Sequence, residues 1–189
     1  MLKKADFKTR QALSCLQCSG VIAYPTESVY GLGCDPFDFL AVQRLLELKG
    51  RNIDKGLILV AANIEQVTTL LPELSASHLQ QIAQSTLHAP VTYLVADPYQ
   101  RIPFWIKGTH ASVAIRISHH PVVQALCLAF GGALVSSSAN LTGRAPAKTA
   151  LKVRQQFKTK LDYIVTAELG NAGTPSQIKD LLTQQVIRS

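Results

Sequence analysis

A short basic segment between two apolar stretches is the first part of the sequence whose residue types suit chemistry. It reads Lys49-Gly50-Arg51-Asn52-Ile53-Asp54-Lys55-Gly56, with three cations and two glycines in eight residues. Lysine carries a mobile point charge and arginine a planar fork of donors, so together they suit phosphates or carboxylates. The alternative is a solvated surface loop, which is the commoner role of charge clusters in connections. The other segments must decide between the two interpretations.

A run of hydroxyl and amide side chains is the second such segment. The run Ser136-Ser137-Ser138-Ala139-Asn140-Leu141-Thr142-Gly143 is predicted to be a turn after the buried strand Ala133-Leu134-Val135. Its hydroxyls, its amide and its free backbone N–H groups could hold phosphate or sugar oxygens. The same groups could instead cap the next helix. Arg116 lies in a predicted strand, where either a ligand or water could satisfy its guanidinium.

The usual signatures of nucleotide and metal sites are missing from the sequence. It contains no G-x-x-x-x-G-K-[ST] segment, and Gly31-x-Gly33 lacks the third glycine of a dinucleotide-binding loop. Neither the carboxylates nor the histidines have a spacing that indicates a metal centre. Cys15 and Cys18 form one C-x-x-C inside a predicted helix, and we expect all four cysteines to be buried, reduced thiols. Any ATP site must therefore use another architecture.

Composition limits the class of protein. The chain has 189 residues, of which 47% are hydrophobic and 16% charged, and this predicts one domain over residues 1–189. No apolar run approaches the roughly 18 residues of a membrane span. The N-terminus lacks the apolar core of a signal peptide, so a cytoplasmic location is expected. The 19 basic against 12 acidic residues give a formal charge of +7, which favours polyanionic partners such as nucleotides or RNA.

Helices and strands must alternate to position these segments. Asp6 and Asp38 are predicted N-caps, the first for a helix over 6–18 and the second for the helix that leads to Lys49. The segment 25–36 is rich in glycine, proline and hydroxyls, which favours an ordered loop over a core element. Other helices are predicted near 65–71, 75–87, 121–130 and 147–157, and strands at 21–24, 57–61, 91–96, 112–117, 133–135 and 163–166.

The remaining segments are predicted to be less regular. Residues 99–110 are expected to be irregular, the strand 112–117 half-exposed, and the C-terminus a short polar segment. Short, unevenly spaced strands between helices favour an α/β or α+β fold, with a twisted mixed sheet flanked by helices.

Several motifs, in order along the chain, resemble the YrdC-domain family of threonylcarbamoyl-AMP synthases. Motifs that keep their order over nearly the whole chain are more specific than any one of them, and the length is similar to that of the short, single-domain form of the family. The motifs are Tyr24-Pro25-Thr26-Glu27-Ser28-Val29-Tyr30-Gly31-Leu32-Gly33, Lys49-x-Arg51, Val113-Ala114-Ile115-Arg116, Ser138-Ala139-Asn140 followed by Gly143, and Pro175-Ser176-Gln177-Ile178.

The resemblance implies a single α/β domain around a large, basic, concave site. It also implies the reaction L-threonine + bicarbonate + ATP → threonylcarbamoyl-AMP + pyrophosphate. The product would supply the N6-threonylcarbamoyl group of adenosine 37 in tRNA, which partner proteins transfer. Mg²⁺ is expected to accompany ATP, as in other phosphoryl chemistry.

Roles for individual residues follow from the same resemblance. Lys49 and Arg51 are expected to be catalytic, because the carbamate and the α-phosphate are both anionic and their repulsion must be neutralised. No residue is predicted to ligate a metal. The expected threonine- and bicarbonate-binding residues are Thr26, Arg116 and Ser136, and the expected ATP-binding residues are Arg51, Lys55, Ser112, Ser138, Asn140, Ser176 and Arg188.

Two alternatives stay open at this point. A double-stranded RNA-binding or ribosome-maturation module could use the basic concavity without catalysis, and direct RNA binding could also be a second activity of an enzyme. Single-strand readers depend on exposed aromatics, and only 6% of this chain is aromatic. The enzymatic alternative is carbamoyl transfer, as in the related domain of hydrogenase-maturation proteins, but the segments that accompany that domain are not present.

Overall fold

A mixed, twisted sheet runs through the computed structural model, which describes residues 6–84, 90–174 and 176–188. In these ranges the helices are α1 Phe7–Leu16, α2 Phe39–Lys49, α3 Ile64–Leu70, α4 Ala76–Ala83, α5 Phe104–Lys107, α6 Pro121–Phe130 and α7 Ala150–Phe157, with a 3-10 turn at Ile53–Lys55. The strands are β1 Ile22–Pro25, β2 Tyr30–Gly33, β3 Ile58–Ala61, β4 Val91–Ala96, β5 Ser112–Ile117, β6 Leu134–Ser138, β7 Tyr163–Ile164, β8 Gln177–Asp180 and β9 Val186–Arg188.

The strand order brings distant segments of the chain side by side. Across the sheet it is β7-β1-β2-β6-β3-β5-β4-β8-β9. The pairs β1–β7, β3–β5 and β4–β8 are parallel, and the other neighbouring pairs are antiparallel. The predicted α/β fold with a mixed sheet is therefore confirmed. The central strands β2, β6 and β5 carry residues that the sequence singled out, and the basic segment 49–56 precedes β3.

Apolar side chains cover both faces of the sheet. Successive residues of β3 alternate between two buried clusters, with Leu59 in the larger cluster and Val60 in the smaller. This follows from the period of two along a strand, which sends neighbouring side chains to opposite faces. Helices α1 and α6 close the smaller cluster with Leu16 and Leu126, and α2 contributes Leu45 to the larger one. A strand buried on both faces holds its end residues firmly.

The predicted helix caps are confirmed. The side chain of Asp6 accepts a hydrogen bond from the backbone N–H of Thr9, and that of Asp38 accepts one from Ala41. Helix α2 then ends at Gly50, which has a left-handed φ of 59°. A residue with a Cβ adopts that conformation at a cost, so glycine suits this turn into the basic segment.

Four sequence predictions are wrong. The segment 25–36 is not only a loop, because β2 pairs there with both β1 and β6 and its residues are buried. The serine run is not all turn, since β6 continues to Ser138. Strand β5 is mostly buried, and Arg116 is only 7% exposed. The C-terminal segment forms β8 and β9 instead of a polar tail. In each case pairing with a distant strand outweighs the local composition.

Smaller differences concern the cysteines and the irregular region. Cys34 and Cys127 are buried as predicted, whereas Cys15 is only half-buried and Cys18 is exposed. Residues 99–110 contain the short helix α5. Pro175 and residues 85–87 of a predicted helix lie outside the described residues. The longest helix in the described ranges, α2, has 11 residues, and none is long and apolar enough to cross a bilayer, which takes about 20 residues.

Candidate active site

A cleft of about 280 Å³ opens where the central strands meet the basic segment and the C-terminal strands. Its walls combine arginine guanidiniums with hydroxyl groups, and no acidic side chain of the described residues lines it. Such a lining suits anionic ligands, because each guanidinium adds charge and a fork of donors. The lining residues are Thr26, Ser28, Val29, Tyr30, Gly31, Arg51, Leu57, Ile58, Arg116, Ser136, Ser137, Ser138, Pro146, Ser176 and Arg188.

A second cavity of about 260 Å³ adjoins this cleft. The two share four lining residues, Arg51, Leu57, Ile58 and Arg188. The walls of the second cavity are mostly aliphatic, and Lys55, Lys107, His110 and Ser112 add polar groups. An aliphatic cavity beside a cationic cleft can hold a flat apolar ring and its charged substituents at the same time. The aliphatic lining residues are Leu57, Ile58, Leu94, Ile106, Ala114, Ile178 and Ile187.

The turn between β1 and β2 forms one wall of the cleft. Thr26 is 5% exposed and donates its hydroxyl to the backbone oxygen of Val29 at 2.7 Å. Gly31 pairs with Tyr24 in the same hairpin. A Cβ placed on Gly31 would lie 3.3 Å from Cγ2 of Thr26 and 3.6 Å from Oγ of Ser136. The missing side chain of Gly31 therefore leaves space between the two hydroxyl-bearing residues.

Strand β6 supplies the second wall. Ser136 pairs with Ile58 of β3, and Ser138 pairs with Gly31 of β2, so the serine run crosses the middle of the sheet. Beyond the strand, Oγ of Ser138 donates to Oδ1 of Asn140 at 2.6 Å. The amide of Asn140 then donates to the backbone oxygens of Leu141 at 3.0 Å and Arg144 at 2.9 Å. Asn140 thus shapes the turn behind the wall and does not line the cleft.

The side chain of Lys49 holds the turn at the end of β6 through hydrogen bonds to its backbone. This side chain is buried, and Nζ donates to the backbone oxygens of Ser138 and Asn140, the second at 3.0 Å. Burial, and to a smaller extent the nearby charge of Arg51, lowers the pKa of the Lys49 ammonium to about 8. The ammonium therefore braces the wall of the cleft, next to the lining residues but not among them.

Arg51 lies between the two cavities. Its Nη2 donates to the backbone oxygens of Gly56 at 2.9 Å and Lys55 at 3.3 Å. Its Nε is buried and has no hydrogen-bond partner among the described residues. Burial lowers the pKa of this guanidinium, and so does the charge of Arg188. A cation that is partly desolvated beside another cation binds an anion more strongly than a solvated one would.

Arg116 enters the cleft from β5. Its guanidinium forms an ion pair with Glu27, with Nη1 and Oε2 3.4 Å apart. Burial alone would raise the pKa of Glu27, but the charge of Arg116 and the hydroxyl of Ser118 bring it below the usual value. Glu27 is therefore ionised at neutral pH. Nε of Arg116 is buried without a hydrogen-bond partner in the part of the chain that the structure describes.

The C-terminal strands close the far side of the cleft. Ser176, just before β8, shares a hydrogen bond of 2.8 Å with the hydroxyl of Thr92 on β4. Arg188 on β9 donates to the backbone oxygen of Ser176 at 3.1 Å. The antiparallel pairing of β8 with β9 brings the two residues together although they are twelve positions apart. The end of the chain is thus part of the site.

The structure places the predicted site residues in three groups. Lys55 and Ser112 line the adjoining cavity, and Lys49 and Asn140 lie behind the β6 wall. Ser137 also lines the cleft. The hydroxyls of its run were predicted to suit phosphate or sugar oxygens, but among the three serines only Ser136 and Ser138 were assigned individual roles. The predicted residues that line the first cleft are Thr26, Arg51, Arg116, Ser136, Ser138, Ser176 and Arg188.

The described residues contain no group of three or more His, Cys, Asp or Glu side chains that could hold a metal ion. Glu27, the carboxylate nearest Arg116, already accepts a hydroxyl and faces a guanidinium. The donor set of this cleft is cationic and hydroxylic, which suits anions better than Mg²⁺.

Fold and site together define an α/β protein with a cationic cleft for an anionic, nucleotide-sized ligand. The family model Sua5/YciO/YrdC, described as "Telomere recombination", matches residues 14–189. The chain belongs to the Sua5/YciO/YrdC family.

Two curated relatives are both named threonylcarbamoyl-AMP synthase. One, from Pseudomonas aeruginosa, is 49% identical over 97% of this chain and 98% of its own length. The other, from Marinobacter nauticus, is 50% identical over 89% of this chain and 88% of its own length.

Solved structures share the fold. The crystal structure of P. abyssi Sua5 complexed with L-threonine has a TM-score of 0.85 at 28% identity and covers 95% of this chain. The chain spans only about half of that Sua5 chain, 53% of its length. E. coli YciO has a TM-score of 0.82 at 22% identity and covers 96% of this chain and 88% of YciO, which shows the fold alone.

Proposed function

We propose that the protein is an L-threonylcarbamoyladenylate synthase, a nucleotidyltransferase that converts L-threonine, bicarbonate and ATP to threonylcarbamoyl-AMP and pyrophosphate. The observation that carries the proposal is the cleft in which Arg51, Arg116 and Arg188 face hydroxyl groups beside an aliphatic cavity. Relatives that match this chain over nearly their whole length, and are 49% and 50% identical to it, bear the synthase name.

The chemistry brings several anions together. The amine of threonine and bicarbonate form a carbamate with loss of water, and a carbamate oxygen then attacks the α-phosphorus of ATP while pyrophosphate leaves. Bicarbonate, the carbamate and the triphosphate all carry negative charge, so positioning and charge neutralisation dominate the task. Arg51 lines both cavities, and we assign its guanidinium to the space between carbamate and α-phosphate. Lys49 contributes through the wall that it braces.

Threonine fits the first cleft. Arg116 offers a guanidinium for its carboxylate, and Thr26 and Ser136 offer hydroxyl groups on either side of the space at Gly31. The complex of P. abyssi Sua5 with L-threonine supports a threonine subsite in a relative with the same fold.

ATP fits across the boundary of the two cavities. Its purine ring suits the aliphatic walls that include Leu94, Ile106 and Ile178, where stacking on apolar surface is favourable. Lys55 and Ser112 lie at that end, and Arg188 lines both cavities, where the phosphates would pass. Ser138, Ser176 and the Asn140 turn supply the remaining polar groups near the nucleotide.

Mg²⁺ belongs to the proposal only as a companion of ATP. No carboxylate cage exists among residues 6–84, 90–174 and 176–188, and Mg²⁺ commonly keeps several waters and binds substrate phosphates. The ion would therefore enter on the pyrophosphate end of the nucleotide and help to neutralise its charge. The residues described above carry every step that we assign to the protein.

The proposal also covers the partner proteins of the synthase and its location in the cell. The product would supply adenosine 37 of tRNA with its threonylcarbamoyl group, through partner proteins that perform the transfer in the cytoplasm. Direct RNA binding stays a second proposed activity, motivated by the +7 charge. The synthase name of the curated relatives gives no support to a non-catalytic RNA-binding module.

Pyrophosphate release tests the activity. Purified protein incubated with ATP, threonine and bicarbonate should release pyrophosphate only when all three are present, and mass spectrometry should detect threonylcarbamoyl-AMP. Serine and threoninamide serve as matched controls for the methyl group and the carboxylate of threonine. Release that does not depend on threonine would contradict the proposal.

A further inference from the structure

A buried carboxylate lies directly behind the arginine that faces threonine in the proposed function. Glu27 is 1% exposed and follows Thr26 in the chain, yet only Thr26 lines the cleft. Oε1 of Glu27 accepts the hydroxyl of Ser118 at 2.5 Å. Oε2 lies 3.4 Å from Nη1 of Arg116 and accepts no hydrogen bond from the described residues. The guanidinium thus lies between the carboxylate and the cleft.

The ion pair can fix the direction of the guanidinium. The side chain of Arg116 is 9% exposed, and a guanidinium so far from water must be compensated by nearby negative charge. Glu27 engages Nη1, while Nε has no hydrogen-bond partner among the residues placed by the structure. Because the guanidinium is planar and rigid, the attraction of Nη1 to the carboxylate favours one direction for the other nitrogens as well. A substrate carboxylate would meet donors that are already oriented.

The backbone of Glu27 and one of its carboxylate oxygens are held by neighbouring residues. Its backbone oxygen accepts the N–H of Ala172 at 3.0 Å, and the oxygen of Thr26 accepts the N–H of Gly170 at 2.9 Å. Gly170 packs so closely that a Cβ there would lie 2.8 Å from Cα of Glu27. Ser118, which donates to the carboxylate, is completely buried. The Glu27 carboxylate needs such rigidity, because a mobile carboxylate could not orient the Arg116 guanidinium.

We propose that Glu27 is a positioning residue for substrate recognition, which orients the Arg116 guanidinium toward the carboxylate of the amino-acid substrate. This role rests on the proposed function and explains how the threonine subsite of the protein is preorganised. Glu27 does not touch the substrate. It acts through Arg116, so its removal should weaken carboxylate recognition while the ATP end of the site keeps its affinity.

Steady-state kinetics of pyrophosphate release test this role with Glu27→Gln. The amide keeps the size of the side chain and can still accept from Ser118, but it loses the charge that faces Arg116. We expect KM for threonine to rise tenfold or more and KM for ATP to change less than twofold. Ser118→Ala is the matched control, because it removes a bond to the same carboxylate and leaves the ion pair, and it should raise KM for threonine less than threefold.

Direct binding measurements distinguish a lost orientation of the Arg116 guanidinium from a general loosening of the fold. Calorimetry with threonine and with threoninamide measures how strongly each variant prefers a carboxylate. The wild type should bind threonine much more tightly than the amide, and Glu27→Gln should lose most of that preference. Equal increases of both KM values, or an unchanged preference for the carboxylate, would overturn the positioning role.

A double variant guards against failure to fold. Removing one partner of a buried ion pair leaves the other charge uncompensated, whereas Glu27→Gln with Arg116→Gln removes both charges. Against the Arg116→Gln background, Glu27→Gln should have no further effect on KM for threonine, and a further tenfold rise would overturn the proposal. Wild-type protein that releases no pyrophosphate would instead refute the proposed function, which separates the two failures.

Discussion

Replacing Lys49 with methionine should strongly reduce turnover and leave the protein folded. Methionine keeps an unbranched side chain of similar length but cannot donate to the backbone oxygens of Ser138 and Asn140. These bonds hold the turn at the end of β6, next to the cleft. Loosening the turn should lower turnover by about two orders of magnitude, since small displacements at a reacting site cost about that much.

The magnitude of the stability change follows from two opposing effects. Each hydrogen bond from a charged donor stabilises the fold by about 1.5–3 kcal/mol, so the two bonds of Lys49 contribute about 3–6 kcal/mol. Against this, the lowering of the Lys49 pKa from the usual 10.5 to about 8 means that the ammonium costs about 3 kcal/mol below pH 8, at 1.36 kcal/mol per pH unit. The two effects largely cancel, and we expect Lys49→Met to change the free energy of unfolding at pH 7 by less than about 3 kcal/mol.

The same shift predicts a pH dependence. Between pH 8 and 10.5 unfolded wild-type chains keep the Lys49 proton and folded ones have lost it, so the unfolding free energy rises with pH relative to Lys49→Met. The difference should grow by up to about 3 kcal/mol across this window and stay constant below it. Urea unfolding followed by circular dichroism measures it. An unfolded variant at pH 7, retained turnover, or a difference that does not change with pH would refute the reasoning.

Three further predictions concern the site and the fold. Arg51→Ala should reduce pyrophosphate release by orders of magnitude with an unchanged circular dichroism spectrum; loss of that spectrum would make the residue structural. Gly31→Ala should fold and raise KM for threonine, because its Cβ fills the space in the cleft, whereas Gly33→Ala should unfold at lower temperature, because its Cβ would lie 2.5 Å from a backbone oxygen of β6. Asp97→Asn breaks a buried ion pair of 2.7 Å with Lys107 and should cost about 3–5 kcal/mol in urea unfolding. Burial alone would raise the pKa of Asp97, but the Lys107 ammonium and two backbone N–H groups lower it. The stability difference between wild type and Asp97→Asn should therefore shrink as pH falls below about 3.8. A stability difference that persists in acid would contradict this prediction.

Much of the fold was predictable from local patterns. Asp6 and Asp38 each precede a helical pattern and accept the expected backbone N–H, because a cap depends on neighbours within four residues. The bounds of β4 and β5 match the predicted strands at 91–96 and 112–117. Branched and apolar residues indicate such strands without knowledge of their partners.

Strand pairing limited the rest. The segment 25–36 has the composition of a loop, yet Gly31 and Leu32 pair with the serine run more than a hundred positions away. Strand β8 is mostly polar in sequence, and it pairs with β4 on one side and with β9 on the other. Such long-range pairing leaves little trace in local composition.

The sequence by itself determined which chemical groups this protein has: the cations of 49–55, the hydroxyls of the serine run, Arg116 and the ordered family motifs that contain them. Tertiary structure decided what each group faces. It brings Arg51, Arg116 and Arg188 to one cleft, turns Lys49 toward backbone oxygens behind the wall, and places Glu27 against Arg116. Ser118, the other partner of Glu27, is 91 positions away. Contacts between such distant residues depend on the strand order of the sheet, which no local pattern specifies.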